Sequence, residues 1–184
     1  MIQNKINYTY EIILRLLKKE MHGREIAKEL KTSLTRVQSI LTELRNTNIL
    51  DYKVEGKNHI YFIKINLQSK LFILNAENYK LIKILRKYPI LEPIFKEITE
   101  KCPEKIIILF GSYAKFIPKK DSDIDIYIDT TDNKIKDKIK NIYNNLSIQT
   151  RKFDTEDLLI KEIVKNHIII QGGEIFYEKL KFFN

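Results

Sequence analysis

Cysteine is almost missing from this 184-residue chain, Cys102 being the only one. A lone thiol cannot close an intrachain disulfide, which excludes a disulfide-stapled scaffold and makes a reducing, cytoplasmic setting the expectation. Cys102 precedes Pro103 with no His or Asp arranged around it in sequence, so it reads as structural. Long apolar runs are also missing. The opening MIQNKINYTYEI lacks the apolar centre of a signal peptide, and no later run reaches membrane-spanning length. A soluble protein without a membrane partner is expected. Internal repeats and low-complexity tracts are absent. Positive charge, by contrast, is plentiful: 33 Lys and Arg against 24 Asp and Glu give a net charge of +9. That balance favours polyanionic partners such as nucleic acid or nucleotides, with a solvated lysine-rich surface as the plainer alternative. Hydrophobic residues make up 43%, enough to build a core, and the length suits one large domain or two small ones.

Apolar spacing marks the helices of the N-terminal region. Ile12, Ile13, Leu16 and Leu17 form one helical stripe, and Gly23–Leu30 reads as a short second helix burying Ile26, Ala27 and Leu30. A third helix follows Ser33, whose hydroxyl suits an N-cap, with Val37, Ile40, Leu41 and Leu44 inward. Thr35, Arg36, Gln38, Ser39 and Thr42 then face outward, a row of hydrogen-bonding groups. Ile49–Tyr52 and His59–Lys64 flank Glu55-Gly56-Lys57-Asn58, a turn that predicts a β-hairpin. The stretch Asn66-Leu67-Gln68-Ser69-Lys70 is the best candidate boundary, and residues 74–101 read as two helices broken at Tyr88-Pro89.

"GREIAKEL", "SLTRVQSILTELRNTNIL" and the hairpin together resemble a winged helix-turn-helix domain. The resemblance implies a third helix entering the major groove of double-stranded DNA and a hairpin tip touching the backbone. Arg36, Gln38 and Ser39 would then meet base edges beside Thr35, and Lys57 would meet phosphate. Winged helices also serve for dimerisation or packing. A homodimer is therefore one expectation, although the chain has no dedicated dimer segment.

Beyond residue 104 strands and helices alternate. Lys105–Phe110 is a short apolar, β-branched run that predicts a buried strand, and it leads into Gly111-Ser112-Tyr113-Ala114-Lys115. A basic loop then reaches Asp121-Ser122-Asp123-Ile124-Asp125-Ile126-Tyr127-Ile128, where apolar and acidic residues alternate. Strand periodicity puts Asp123 and Asp125 on one face and Ile124, Ile126 and Ile128 on the other. Two adjacent carboxylates repel, and a hard cation removes that cost: Mg²⁺ favours one or two carboxylates plus phosphate oxygens. The Gly111-Ser112 turn suits phosphate, through close backbone approach and the serine hydroxyl. A calcium-loop reading of the Asp-x-Asp-x-Asp run fails, because Ile126 stands where glycine is required. A surface strand with incidental aspartates leaves the Gly-Ser turn unexplained. His22, His59 and His167 are dispersed and read as surface or capping residues, and Lys134–Lys140 as the solvated face of a helix.

"GSYAK" followed by "SDIDIYI" resembles the signature of the DNA polymerase β-like nucleotidyltransferase superfamily, especially the minimal nucleotidyltransferases of archaea and bacteria. The likeness extends to "FDTEDLLIKEIVKNHIIIQGGEIFYEKL", expected to be that family's C-terminal helix and final short strand. It implies transfer of a nucleoside monophosphate from an NTP, with ATP a candidate, to a hydroxyl. Asp123 and Asp125 would be catalytic and hold Mg²⁺ or Mn²⁺; Gly111, Ser112 and Lys115 would hold phosphates. Some minimal nucleotidyltransferases modify a HEPN toxin, so a protein acceptor of that kind is one expected partner. This chain departs from the pattern by carrying Lys115-Phe116 where Arg-Gly is common. It also carries Ser147 where a third carboxylate is expected, on a strand around 146–152 without Asp or Glu. Asp129, Asp154 and Glu156 are the neighbouring acids that would have to substitute. The competing expectation is therefore a nucleotide-sensing, DNA-binding regulator without catalysis. The expected fold is α+β: a winged helix-turn-helix domain at 1–66, a helical connector at 67–103 and a small mixed-sheet nucleotidyltransferase domain at 104–184.

Overall fold

The computed structural model describes residues 6–103 and 105–183. The first five residues, on which the reading of the N-terminus partly rests, lie outside that range. The chain divides into two compact units, the first ending at Ala76 and the second running from Glu77 to Phe182.

The first unit contains α1 (Tyr8–Leu16), β1 (Met21–His22), α2 (Gly23–Glu29), α3 (Leu34–Asn46), β2 (Leu50–Glu55) and β3 (Asn58–Ile63). Its strands form an antiparallel sheet of order β1-β3-β2. Ile12, Ile13, Ile26, Val37, Leu41 and Leu44 close the space between the helices and are at most 2% exposed. Burial of each contributes about 1.5–3 kcal/mol. Leu30 and Ile40 reach only half-burial, because each lies at the edge of its helix's apolar stripe. Ser33 caps α3, accepting from Arg36 N at 3.3 Å. The hairpin turn is tighter than the four residues read from sequence: Glu55 pairs with Asn58, leaving Gly56 and Lys57 at the bend. Gly56 has φ +59°, the left-handed conformation that a tight hairpin needs at its first central residue. This is the winged helix-turn-helix arrangement. Strand β1 went unseen in the sequence, since two residues cannot show alternation. The stretch Asn66–Lys70 forms the start of α4 (Leu67–Lys87), with Asn66 Oδ1 accepting from Ser69 N at 2.9 Å.

In the second unit α4 ends before Pro89, and α5 (Leu91–Lys101) follows. Then come β4 (Ile107–Phe110), α6 (Gly111–Ala114), β5 (Ile124–Asp129), α7 (Asn133–Ile139), β6 (Leu146–Arg151), α8 (Leu158–Lys165), β7 (Ile168–Gln171) and α9 (Gly173–Lys179). Helix α9 is an addition to the single C-terminal helix and strand expected from sequence. The sheet has order β6-β5-β4-β7; β4 is antiparallel to β5 and β7, while β5 and β6 run parallel. Ile107, Leu109, Ile124, Ile126, Ile128 and Ile148 pack on one face with Ile94, Phe95 and Ile98 of α5. On the other face Tyr127, paired with Ile108, joins an aromatic layer with Phe153 and Phe176. A strand covered on both faces must be apolar throughout, which is why Ile106–Phe110 reads as a continuous run. In α7, Ile135 and Ile139 are buried while Lys134, Lys136 and Lys138 face water. Among the described residues no helix is long and apolar enough to cross a membrane.

Candidate functional site

The site of the second unit is built where β4 ends. Phe110 pairs with Asp125 across the β4–β5 ladder, and the chain turns at once into α6. Gly111 makes that turn with φ +69°, and a Cβ there would overlap Asp125 Oδ2 and lie 3.0 Å from Asp125 Cγ. Only glycine lets the bend and the carboxylate share this space. Asp125 is half-buried, and Ile124 and Ile126 on either side of it are fixed in the core. Asp123 lies one residue before β5 and is exposed. The turn leading to it is closed by Ser122, whose Oγ accepts from Lys119 N at 2.8 Å while its own N–H donates to Lys119 O at 3.1 Å.

The electrostatics of the pair follow from this geometry. Burial pushes the Asp125 carboxyl above its ordinary range; a hydrogen bond from the Ser147 hydroxyl works against that, and the Asp123 charge adds to it. Two neighbouring carboxylates beside a glycine bend form a donor set and cradle suited to one Mg²⁺ whose remaining ligands are phosphate oxygens. A second ion finds less. Ser147 on β6 stands opposite Asp125 in the parallel ladder, so a hydroxyl occupies the position where an acid was expected. Among the described residues no group of three or more His, Cys, Asp or Glu side chains could hold a metal. The nearby acids are committed elsewhere. Asp129 accepts from Phe153 N at 2.8 Å and pairs with Lys179 at 2.7 Å. Asp154 accepts from Glu156 N at 2.9 Å, and Glu156 pairs with Lys161 at 2.9 Å.

Ser112 follows the bend, half-buried, in the first turn of α6. Lys115 projects outward and pairs with Glu162 of α8 at 2.9 Å, a partner far away in sequence. Phe116, standing where the motif usually has glycine, adopts φ +61°. Its carbonyl accepts from Lys87 Nζ at 3.0 Å, and its ring packs against the core with Lys83 and Lys87 ammonium groups each 5.6 Å away. These contacts hold an L-residue in a conformation that glycine adopts without strain.

In the first unit, Thr35, Arg36, Gln38 and Ser39 are exposed on α3, and Lys57 is exposed at the hairpin tip. Arg36 leans over the Tyr8 ring at 5.1 Å. A groove of about 490 Å³ opens between α2, α3 and the hairpin, lined in part by Gln38, Lys57, Arg24, His22 and His59. Arg24 and the two histidines were not foreseen as lining. The β1–β3 pairing brings His22 against Ile60, beside His59, whose carbonyl lies 3.0 Å from His22 Nδ1. Of the two readings of His167, surface or capping, the structure shows capping: it is 8% exposed, and Nδ1 caps α8 by donating to Ile163 O at 3.0 Å. Its Nε2 lies 3.4 Å from Glu77 Oε1, an oxygen that accepts from the Tyr177 hydroxyl at 3.0 Å. Burial pushes the Glu77 carboxyl up, but the charges of Lys80 and His167 and the Tyr177 hydroxyl outweigh it and hold it at about 2.

Residues 92–181 match the family model described as "Polymerase beta, Nucleotidyltransferase". The chain is also similar to two solved structures. One is a point mutant of Lactococcus lactis ZitR, with 16% identity, TM-score 0.38, and coverage of 50% of this chain and 62% of that one. The other is the adhesin competence repressor AdcR of Streptococcus pyogenes, with 17% identity, TM-score 0.37, and coverage of 56% and 84%. The chain thus spans less than two thirds of ZitR's length. A comparison with curated proteins gives no match.

Proposed function

We propose that the C-terminal domain, 104–184 with the 67–103 connector, binds a nucleoside triphosphate and moves its nucleoside monophosphate to a hydroxyl. The 1–66 winged helix would hold the protein on double-stranded DNA. The observation that supports this most is the apposition of the Gly111 bend and Asp125, where a side chain at 111 would overlap the carboxylate. Asp123 and Asp125 would hold Mg²⁺ or Mn²⁺, which when bound neutralises charge developing on the phosphates. The Gly111 backbone and the Ser112 hydroxyl receive the terminal phosphates, and Lys115 exchanges its exposed Glu162 partner for a phosphate oxygen. That exchange costs little, since an exposed ion pair contributes at most about 1 kcal/mol. On the other unit, Arg36, Gln38 and Ser39 meet base edges beside Thr35, and Lys57 meets the backbone. ATP is the first donor to test, and a protein hydroxyl, such as one on a HEPN toxin, the first external acceptor.

Ser147 favours a second reading, a DNA-binding regulator that senses nucleotide without turnover. The two separate with purified protein, Mg²⁺ and labelled ATP. Transfer or pyrophosphate release that vanishes in Asp123→Ala supports the enzyme. Binding without turnover, with altered DNA affinity, supports the sensor. Absence of nucleotide binding in the wild-type protein defeats both.

A further inference from the structure

We propose that the chain carries an acceptor of its own: the Ser147 hydroxyl receives the nucleoside monophosphate, so that the protein modifies itself at β6. This rests on the nucleotide-binding reading above and adds the identity of one acceptor group. Three observations carry it. The parallel register sets Ser147 opposite Asp125, and residues so paired point to the same side of the sheet. A Cβ at Gly111 would overlap Asp125 Oδ2, so the carboxylate that Ser147 stands opposite lies directly against the glycine bend. Ser147 is half-buried and so not sealed from solvent, while the next residue, Ile148, is 4% exposed and anchors the strand in the core. Ser122 closes the turn before Asp123, and Thr150 stands opposite Ile128, further along the strand.

The step balances with the triphosphate alone. A bond forms between Ser147 Oγ and the α-phosphorus, the bond from that phosphorus to the oxygen bridging to the β-phosphate breaks, and pyrophosphate leaves with the electron pair. The hydroxyl proton passes to water. The product is a phosphodiester between Ser147 and a nucleoside. A hydroxyl held in the site needs no encounter with a second molecule, the condition under which even an ordinary alcohol becomes an effective acceptor.

The test uses the full chain with Mg²⁺ and each of the four common NTPs, labelled at the α- or the γ-phosphate, followed by intact mass and peptide mapping. The α-label is expected to stay on the peptide containing Ser147 and the γ-label to be lost. Ser147→Ala should cut labelling by about tenfold or more, while leaving the melting temperature nearly unchanged. Ser147→Thr, which keeps a hydroxyl, should retain part of the label. The proposal is overturned if wild-type protein binds Mg²⁺ and NTP yet gains no mass, if the label sits elsewhere, or if Ser147→Ala labels as well as wild type. If the wild-type protein binds no NTP in a calorimetric titration, the underlying reading of the site fails first.

Discussion

Gly111→Ala tests whether the glycine bend and Asp125 truly compete for the same volume. Two costs arise. An L-residue at φ +69° gives up about 1–2 kcal/mol. The new methyl would also overlap Asp125 Oδ2 and lie 3.3 Å from Asp125 Cβ, so the carboxylate must turn away from the bend. Gly56 supplies the control, because its φ of +59° matches while a Cβ there would meet nothing within 4 Å. Gly56→Ala should therefore show the conformational cost alone. Gly111→Ala should lose about 1–3 kcal/mol more, from the strain of displacing a half-buried carboxylate. Urea unfolding, with hydrogen exchange to resolve each unit, measures both. Adding Asp125→Ala removes the atoms that the methyl would strike, so the double variant should recover the steric part. Affinity for ATP with Mg²⁺ should fall about tenfold or more in Gly111→Ala and hold in Gly56→Ala. Equal losses at the two glycines, or additivity with Asp125→Ala within about 0.5 kcal/mol, would refute the overlap.

Glu77 gives a pH prediction. Its carboxyl is held at about 2 against an ordinary 4.5, so its stabilisation is full above 4.5 and is lost as pH falls toward 2. About 3 kcal/mol is at stake, and Glu77→Gln should flatten melting temperature against pH over that window while lowering it at neutral pH. At Phe116, φ +61° reverses the usual ranking of small residues: both truncations lose ring packing, but Phe116→Gly should unfold at higher urea than Phe116→Ala by about 1 kcal/mol. On the DNA side, Arg36→Ala and Gln38→Ala should weaken binding to a selected operator more than binding to random duplex. Lys57→Ala should weaken both alike and reduce the salt slope by about one, as measured by fluorescence anisotropy. Equal losses on all sequences for Arg36 and Gln38 would argue against base reading by α3.

The fold was legible where periodicity is long. Helices α1 and α3, the hairpin, the Tyr88-Pro89 break and the buried strand β4 all follow from spacing and turn chemistry. Strand β1 is too short to leave a pattern, and α9 lay inside a stretch read as one helix and a strand. The outward row on α3 was readable because a helix face is a local property. So was the Gly111 bend, since glycine before a small polar residue at a strand end has few other uses. What escaped depends on partners distant in the chain. Glu162 meets Lys115, and Glu77 meets His167 and Tyr177, through tertiary folding, and no local residue announces either pair. His22 and His59 looked scattered until the β1–β3 pairing brought them to one groove. Ser147 reads in sequence as a missing acid, but its place opposite Asp125 emerges only once the strands are side by side.

Strand β6 lies at the end of its sheet, joined to it through β5 alone among the described residues, so its alignment has one ladder to rely on. A slip by a single residue would bring Leu146 or Ile148 beside Asp125 and turn Ser147 toward the apolar layer. The greasy grip on Ile148 is what forbids that slip. An innocuous-looking change there, such as Ile148→Ala, would then alter the chemistry at Asp125 without touching a polar atom of the site.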